Sequence, residues 1–135
     1  MANETEKLTI NLGIVELAQI DVLVEKGMYS NRSDFIRTSI RNYLETKRDW
    51  IEDQLVPMPG KKLWVKSIGI HGITKKWLET FAKENGKLNI SVIGMLVIDK
   101  NVDIELFKKT AENIIVRGKL VASNEIKEII KELGE

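Results

Sequence analysis

Few residues of this chain could perform covalent or metal chemistry. The sequence has no cysteine and a single histidine, His71, so disulfides, thiolate zinc sites and cysteine nucleophiles are excluded. A lone histidine is more often a strand or loop residue than a ligand. No phosphate-binding glycine loop and no serine, histidine and acid arrangement is visible. We therefore predict no catalytic residue, no metal site and no cofactor, which leaves recognition by hydrogen-bonding side chains.

The best candidates for recognition alternate along residues 7–12, near the N-terminus. Alternation of polar and apolar residues predicts a short β-strand with two different faces. A lone strand cannot satisfy its own backbone hydrogen-bonding groups, and no neighbouring segment has a strand pattern. We expect this strand to pair with the same strand of a second copy. Its polar face carries Lys7, Thr9 and Asn11, and its apolar face carries Leu8, Ile10 and Leu12.

Two amphipathic helices are predicted directly after the strand, over about residues 14–26 and 32–48. Gly27 stands where a left-handed residue ends the first helix. Asn31 is a favourable N-cap for the second helix. Asp34, three residues later, completes an arrangement like a capping box. The chain thus begins with one strand and two helices in that order.

A break in the pattern separates this segment from the rest. Pro57 and Pro59 are the only prolines of the chain, and Gly60 follows them. Proline stops helices and stiffens the backbone. We interpret residues 53–62 as a linker between a first domain, 1–52, and a second domain, 63–135.

The second domain contains an internal repeat. The segment Asn89–Val97 recurs 24 residues later as Asn113–Val121, and a looser copy begins at Val65. Each copy has a strand pattern with a central glycine, which permits a bend or a close approach of backbones. Helices are expected after the strands, over residues 74–85, 103–113 at most and 123–133. The fold class is therefore α+β, with a short leucine-rich-repeat-like β/α solenoid as the second domain and an ordinary α+β domain as the alternative. Trp64, Trp77 and Phe81 are interpreted as core rather than as a ligand pocket.

Composition and charge set limits on function. The formal net charge is +1; residues 1–52 hold seven Lys and Arg against nine Asp and Glu, and the remainder holds fourteen against eleven. Non-specific DNA binding depends on phosphate neutralisation, so any DNA contact by the first domain requires its positive side chains on one face. The sequence contains no run of about 18 apolar residues, so no membrane span is expected. The polar N-terminus and the lack of cysteine suit a cytoplasmic protein.

The first third of the chain, about residues 6–47, resembles the ribbon-helix-helix family of DNA-binding proteins, the CopG/MetJ/Arc type. Three features carry the resemblance: the alternating strand, the glycine between the helices, and the string Asn-Arg-Ser-Asp-Phe-Ile-Arg at residues 31–37. In that family, two strands from two subunits pair and enter the DNA major groove, where base edges present a distinct hydrogen-bonding pattern.

The resemblance assigns roles to particular residues. It implies that Lys7, Thr9 and Asn11 read bases, since their side chains offer the donors and acceptors that base edges require. It also implies that the start of the second helix, Asn31, Arg32 and Ser33, contacts DNA phosphates, as helix N-termini favour anions. The alternatives are a solvent-facing strand, caps that act within the chain alone, and a solvated Arg32.

These implications lead to a function in transcription. We expect a homodimeric, sequence-specific regulator, a repressor, that binds double-stranded DNA and forms a higher oligomer through its second domain or binds an effector there. The nickel-responsive members of the family use several histidines and a cysteine, which this chain lacks. Two rivals stay open: an antitoxin that regulates its own synthesis, and an assembly protein whose first domain only dimerises.

Overall fold

The chain folds as two compact units, Met1–Arg48 and Asp49–Glu135. The computed structural model describes residues 5–56 and 62–134. The predicted linker, 53–62, therefore lies partly outside the described residues, and both prolines do so entirely. The described elements are helices in the first unit and a mixture of helices and strands in the second, which makes the chain α+β.

The first unit contains the two predicted helices, α1 (Ile14–Glu25) and α2 (Arg32–Thr46). The second helix ends two residues earlier than predicted. The Thr46 hydroxyl donates to the Tyr43 carbonyl at 2.6 Å, and such bonds compete with the regular helical pattern. A short helix that the sequence did not predict, α3 (Arg48–Asp53), begins immediately afterwards.

Gly27 ends α1 as the sequence predicts. Its φ is +80°, a left-handed conformation that side chains with a Cβ rarely adopt. The Gly27 amide donates to the Val24 carbonyl and the Met28 amide donates to the Leu23 carbonyl, both at 3.0 Å. These two bonds define a Schellman motif, which satisfies carbonyls at the end of the helix. The motif turns the chain toward the start of α2.

Residues 5–13 form neither helix nor strand within one chain. A strand is defined by hydrogen bonds to a neighbouring strand, and none of the described residues pairs with the segment 7–12. The ribbon therefore stays a prediction that requires a second copy.

The second unit is a three-stranded parallel sheet with one helix after each strand. The strands lie in the order in which they occur along the chain. Its elements are β1 (Val65–Ile73), α4 (Lys75–Asn85), β2 (Leu88–Ile98), α5 (Ile104–Thr110), β3 (Ala111–Val121) and α6 (Asn124–Leu133). Thr74, Asp103 and Ser123 cap the three helices through side-chain oxygens. The middle helix stops at Thr110, short of the predicted limit at 113, because β3 begins at the next residue.

The central glycines of the repeat lie side by side across the sheet. Gly69 pairs with Gly94, and Gly94 pairs with Gly118. A Cβ on Gly94 would stand 2.2 Å from the Gly69 carbonyl oxygen, and one on Gly118 would stand 1.9 Å from the Gly94 oxygen. These distances are far inside van der Waals contact. The close backbone approach expected from the sequence is therefore present, and only glycine fits at positions 94 and 118.

The core of the second unit lies between the sheet and its helices. Phe107, Leu78 and Ile90 are fully buried there. Phe81 is also buried, and Trp77 is half-buried against the core, stacked on the Phe81 ring at 5.1 Å. Trp64 is half-buried and is not part of the main cluster. No helix within residues 5–56 and 62–134 is long and apolar enough to cross a bilayer.

Candidate nucleic-acid interface

The three predicted base-reading side chains, Lys7, Thr9 and Asn11, are exposed to solvent. None of them forms a hydrogen bond or ion pair with another described residue, so their donors and acceptors are available. The opposite side of the same segment is also exposed: Leu8 is 81% accessible and Ile10 is 56% accessible. None of the described residues covers either face of this segment completely.

An apolar groove opens beside this segment. Its volume is about 600 Å³, and its walls come from the N-terminal segment and from both helices. The apolar lining consists mainly of Ile10, Leu12, Ile20, Leu23, Phe35 and Ile36. Ile20 is the only buried apolar residue among those described in the first unit, and α2 buries none. Helices of this kind ordinarily bury one face, so the groove is an incomplete core.

Hydrogen bonds organise the start of α2. The Asn31 side chain accepts from the Asp34 amide at 2.8 Å, as predicted for an N-cap. The Asp34 carboxylate accepts from the Ser30 amide at 2.9 Å, one residue before the donor of a standard capping box. The amides of Arg32 and Ser33, in the first turn, have no acceptor among the described residues. They are the donors that an approaching anion could reach.

Arg32 is held by a carboxylate of α1. Its Nε and one Nη lie 2.7 and 2.9 Å from the two carboxylate oxygens of Asp21. This two-point pairing raises the pKa of Arg32, and the hydrogen bond from Arg32 lowers the pKa of Asp21. Both side chains are about half exposed. The pair fixes the guanidinium beside the start of α2 and leaves its remaining N–H groups directed elsewhere.

Asp21 was missed by reasoning from the sequence. Eleven residues separate it from Arg32, and no helical periodicity links two residues on different helices. Only the packing of α1 on α2 brings them together. Nothing in the sequence could have ranked Asp21 above the other carboxylates of the first unit.

Other cations of the first unit remain at the surface. Arg48 approaches Glu45 at 3.9 Å, and the Lys47 ammonium lies 5.7 Å from the centre of the Tyr43 ring. Arg37 and Arg41, four residues apart on α2, form no ion pair among the described residues. Such exposed charges are worth little for stability.

Polar side chains near the start of β2 and β3 in the second unit are linked by hydrogen bonds. The Asn113 amide donates to the Asn89 carbonyl oxygen at 2.7 Å, and the Asn89 amide donates to Glu112 at 2.9 Å. Lys62 lies 3.5 Å from the same carboxylate. The hydrogen bond from Asn89 lowers the pKa of Glu112, with Lys62 and Lys87 adding to the effect. This network joins β2 to β3.

His71 sits among aromatic rings rather than among ligands. Its ring meets Trp77 edge to face at 5.6 Å, and burial lowers its pKa. Its Nε2 is buried and has no hydrogen-bond partner within the described residues. No group of three or more His, Asp and Glu side chains in the described part of the chain is arranged to hold a metal ion.

These features define a class before they define a family. A short exposed segment of alternating residues precedes two capped helices with an open apolar groove, and a parallel strand–helix repeat follows. The chain belongs to the Ribbon-Helix-Helix transcriptional regulator family, whose model matches residues 3–127. Comparison with curated proteins gives no match, and comparison with solved structures gives none. The match extends well beyond residue 47, so the second unit is part of the family pattern.

Proposed function

We propose that this protein is a homodimeric, sequence-specific transcriptional repressor that reads the DNA major groove with a two-stranded ribbon. The family describes transcriptional regulators, which implies DNA binding rather than catalysis. The ribbon, the dimer and the repressor role are our proposal.

One observation carries the dimer: the first unit leaves its apolar surface uncovered. Ile40, Tyr43 and Leu44 on α2 are each more than half exposed, as is Ile14 on α1. Contiguous apolar surface of this kind marks an interaction site. A second copy of the same unit would cover the groove of the first, and the two Lys7–Leu12 segments would pair as antiparallel strands.

Pairing the segments would bury one face of the ribbon and present the other. Leu8, Ile10 and Leu12 would enter the shared core, and Lys7, Thr9 and Asn11 would stand out from both strands. A two-stranded ribbon fits the major groove. Lysine donates to guanine acceptors, and asparagine pairs with adenine through a donor and an acceptor together. We assign base reading to these three side chains.

The start of α2 would fix the protein on the DNA backbone. The amides of Arg32 and Ser33 are donors at a helix N-terminus, and Asn31 holds that turn in place. Asp21 orients the guanidinium of Arg32, so Arg32 reaches a phosphate through the N–H groups that Asp21 does not occupy. Such contacts set position and carry little sequence information.

The second unit would supply assembly. We interpret its three strand–helix units as a short solenoid whose ends join dimers into higher oligomers. The first unit is mildly acidic overall, so a single dimer has little electrostatic attraction for DNA. Linking several dimers raises avidity without a new DNA contact.

An electrophoretic mobility shift with the promoter region of the protein's own gene tests this function. Wild-type protein should retard the fragment, and the shift should weaken steeply between about 50 and 200 mM salt. Lys7→Ala with Asn11→Ala should lose specific binding, by about tenfold or more for each base contact removed. Arg32→Ala should weaken binding to specific and unrelated fragments equally and reduce the salt slope by about one.

Arg41→Ala is the matched control, since Arg41 lies on α2 away from the assigned contacts. It should retain sequence preference. A wild-type protein that gives no salt-sensitive shift would overturn the DNA-binding proposal and leave the rival, an assembly protein without DNA binding. A double variant that binds its fragment as tightly as wild type would remove base reading from Lys7 and Asn11.

A further inference from the structure

The sheet of the second unit has two unpaired edges. Among the described residues, β1 and β3 pair with β2 alone, so each keeps one free side. A free strand edge exposes backbone donors and acceptors and is a template for another strand. These edges are long, nine residues in β1 and eleven in β3. Exposed Ile68 and Ile70 lie along β1, which gives that edge little protection.

The backbone gives the two edges opposite characters. The carbonyl of Gly69 points toward Gly94, and the carbonyl of Gly94 points toward Gly118. The φ angles of Gly94 and Gly118 are +134° and +133°, and if the repeat continues in the same way, the Gly118 carbonyl takes the corresponding position on the free side of β3. Gly69 has a φ of +126°, yet nothing lies within 4 Å of where its Cβ would be. The β3 edge therefore presents the carbonyl, and the β1 edge presents the open glycine.

Each edge suits the other edge better than it suits itself. Two β3 edges would bring two Gly118 carbonyls face to face. Two β1 edges would leave Gly69 without the carbonyl that Gly94 and Gly118 each meet. A β3 edge against a β1 edge repeats the contact already present twice within one chain.

We propose that β3 of one copy adds in parallel to β1 of a second copy, with Gly118 beside Gly69. The contact continues the register of the sheet, so Arg117 comes beside Ile68 and α6 comes beside α4. Because the two surfaces differ, the contact is heterologous and propagates from copy to copy. It specifies the surface for the higher assembly in the proposed function and rests on that function, since dimerisation of the first unit supplies the tether.

The layer of helices also leaves apolar side chains only partly buried at both of its ends. At the α4 end, the Trp77 ring is half-buried and leans on His71, whose Nε2 has no partner among the described residues. At the α6 end, Ile129, Ile130 and Leu133 are only partly buried against the core. Placing α6 against α4 of the next copy covers both groups at once.

The expected contact is weak by itself. A nine-residue strand is about 30 Å long, and a helix packed on a sheet is roughly 15–20 Å deep. The two partners together bury on the order of 1,000 Å², at or below the lower limit of stable interfaces. The assembly should therefore depend on concentration and on the tether between paired first units.

Sedimentation velocity of the full chain without DNA, over about 1 to 100 μM, tests the proposal. Wild-type protein should sediment as a dimer at low concentration and as larger multiples of it at high concentration. Ile68→Arg places an arginine beside Arg117 of the neighbouring copy. Like charges directly opposite each other destabilise strand pairs, so the dissociation constant of the assembly should rise roughly three- to tenfold.

Ile68→Arg combined with Arg117→Glu should restore assembly. The two positions face each other only across copies, because β2 separates them within one chain. Ile68→Glu is the second control, since it faces Arg117 with the opposite charge and should preserve assembly. Thermal unfolding of each variant checks that the sheet itself is intact.

Each outcome decides between the proposals. A dimer at every concentration overturns the edge contact and leaves the DNA-binding proposal in place. Large assemblies that ignore both Ile68→Arg and the double variant also overturn it, since another surface must then hold them. A monomer at every concentration overturns the proposed dimer itself. Weaker assembly in Ile68→Arg with recovery in the double variant supports the contact.

Discussion

The two units of this chain bury apolar side chains in opposite ways. The second unit has a continuous core, in which Phe107, Leu78 and Leu96 are completely buried. The first unit buries Ile20 alone among its described apolar residues and exposes Leu8, Ile10 and Ile40. Both contain amphipathic helices, α2 in the first unit and α4 and α6 in the second. The difference is that the second unit contains a sheet for its helices to cover, and the described residues of the first unit, 5–48, form none.

The two units should therefore differ in how their free energy of unfolding depends on protein concentration. A unit with its own core unfolds with a free energy that is independent of protein concentration. A unit that takes its core from a second copy gains stability by mass action, and so becomes more stable as concentration rises. If the proposed dimer forms, Ile40, Tyr43 and Leu44 on α2 lie in its interface, and substitutions there should behave as core substitutions.

The largest expected effect is at the centre of the glycine row. Gly94→Ala would place a Cβ 2.2 Å from the Gly69 carbonyl oxygen and force a non-glycine residue to a φ of +134°. The atoms that this Cβ would meet all belong to the backbone, so no side chain can move aside to make room for it. We expect a loss of about 4 kcal/mol or more in the free energy of unfolding of the second unit, measured by chemical denaturation.

Gly72→Ala is the matched control for that substitution. It lies in β1 of the same sheet, and its Cβ would meet only the Val97 carbonyl oxygen at 4.0 Å, an ordinary contact. We expect a change within about 1 kcal/mol. Equal destabilisation by the two substitutions would show that the row imposes no special constraint.

The next effect tests the first unit. Ile40 is 51% exposed within one chain, and on a simple surface Ile40→Ala would change stability by no more than about 0.5 kcal/mol. If Ile40 enters the dimer core, the loss should be about 2–5 kcal/mol. It should also raise the dimer dissociation constant. Hydrogen exchange resolved by peptide would show faster exchange in residues 14–46 and unchanged exchange in residues 65–133.

Arg41→Ala is the neighbouring control on α2, since Arg41 is exposed and forms no ion pair with the described residues. It should leave exchange in both units unchanged. If Ile40→Ala behaves like Arg41→Ala at every concentration, the uncovered stripe is not an interface.

Much of this architecture could be predicted from the sequence because its signals are local. Gly27 and Asn31 bound the helices through contacts within a few residues of each other. The repeat predicted the glycine row, since residues at equal positions in successive units must be neighbours. The third α-helix and the early end of α2 were missed; the Thr46 hydroxyl donates to the Tyr43 carbonyl at that end, and such a side-chain bond competes with the helical pattern without marking the boundary in the sequence.

The candidate site was less predictable because its parts meet through tertiary packing. Asp21 orients Arg32 only when α1 packs on α2, and neither sequence spacing nor charge pattern reveals that. The groove could be anticipated from the apolar stripes of both helices. The pairing of the N-terminal strand stays a prediction. The proposed ribbon needs one strand from each of two copies, and a single chain supplies only one of them.

A smaller effect is expected at the polar network of the second unit. Asn89 is 4% exposed, and Asn113→Ala would leave its carbonyl oxygen without the amide that now donates at 2.7 Å. A buried polar group that loses its partner costs about 1–3 kcal/mol. Chemical denaturation should show that loss, whereas Asn101→Ala, at an exposed turn, should show almost none. Equal stability in both variants would mean that water replaces the lost donor without cost.

The smallest effect is a pH dependence that should belong to the second unit alone. Burial against Trp77 lowers the pKa of His71 below its ordinary value of about 6.5. Between the folded and unfolded pKa values the unfolded chain binds more protons, so stability rises with pH across that interval. The contribution of His71 to the free energy of unfolding is therefore fully present above about pH 6.5 and decreases as the pH falls below that value. The thermal midpoint of wild type should therefore fall more than that of His71→Phe between about pH 7 and 5, since the variant keeps an aromatic ring but cannot titrate.

His71 is the only histidine of the chain, so the difference between the two proteins isolates this group from the carboxylates common to both. Exchange in residues 14–46 should not follow the same curve, and a parallel change there would mean that the two units do not unfold independently.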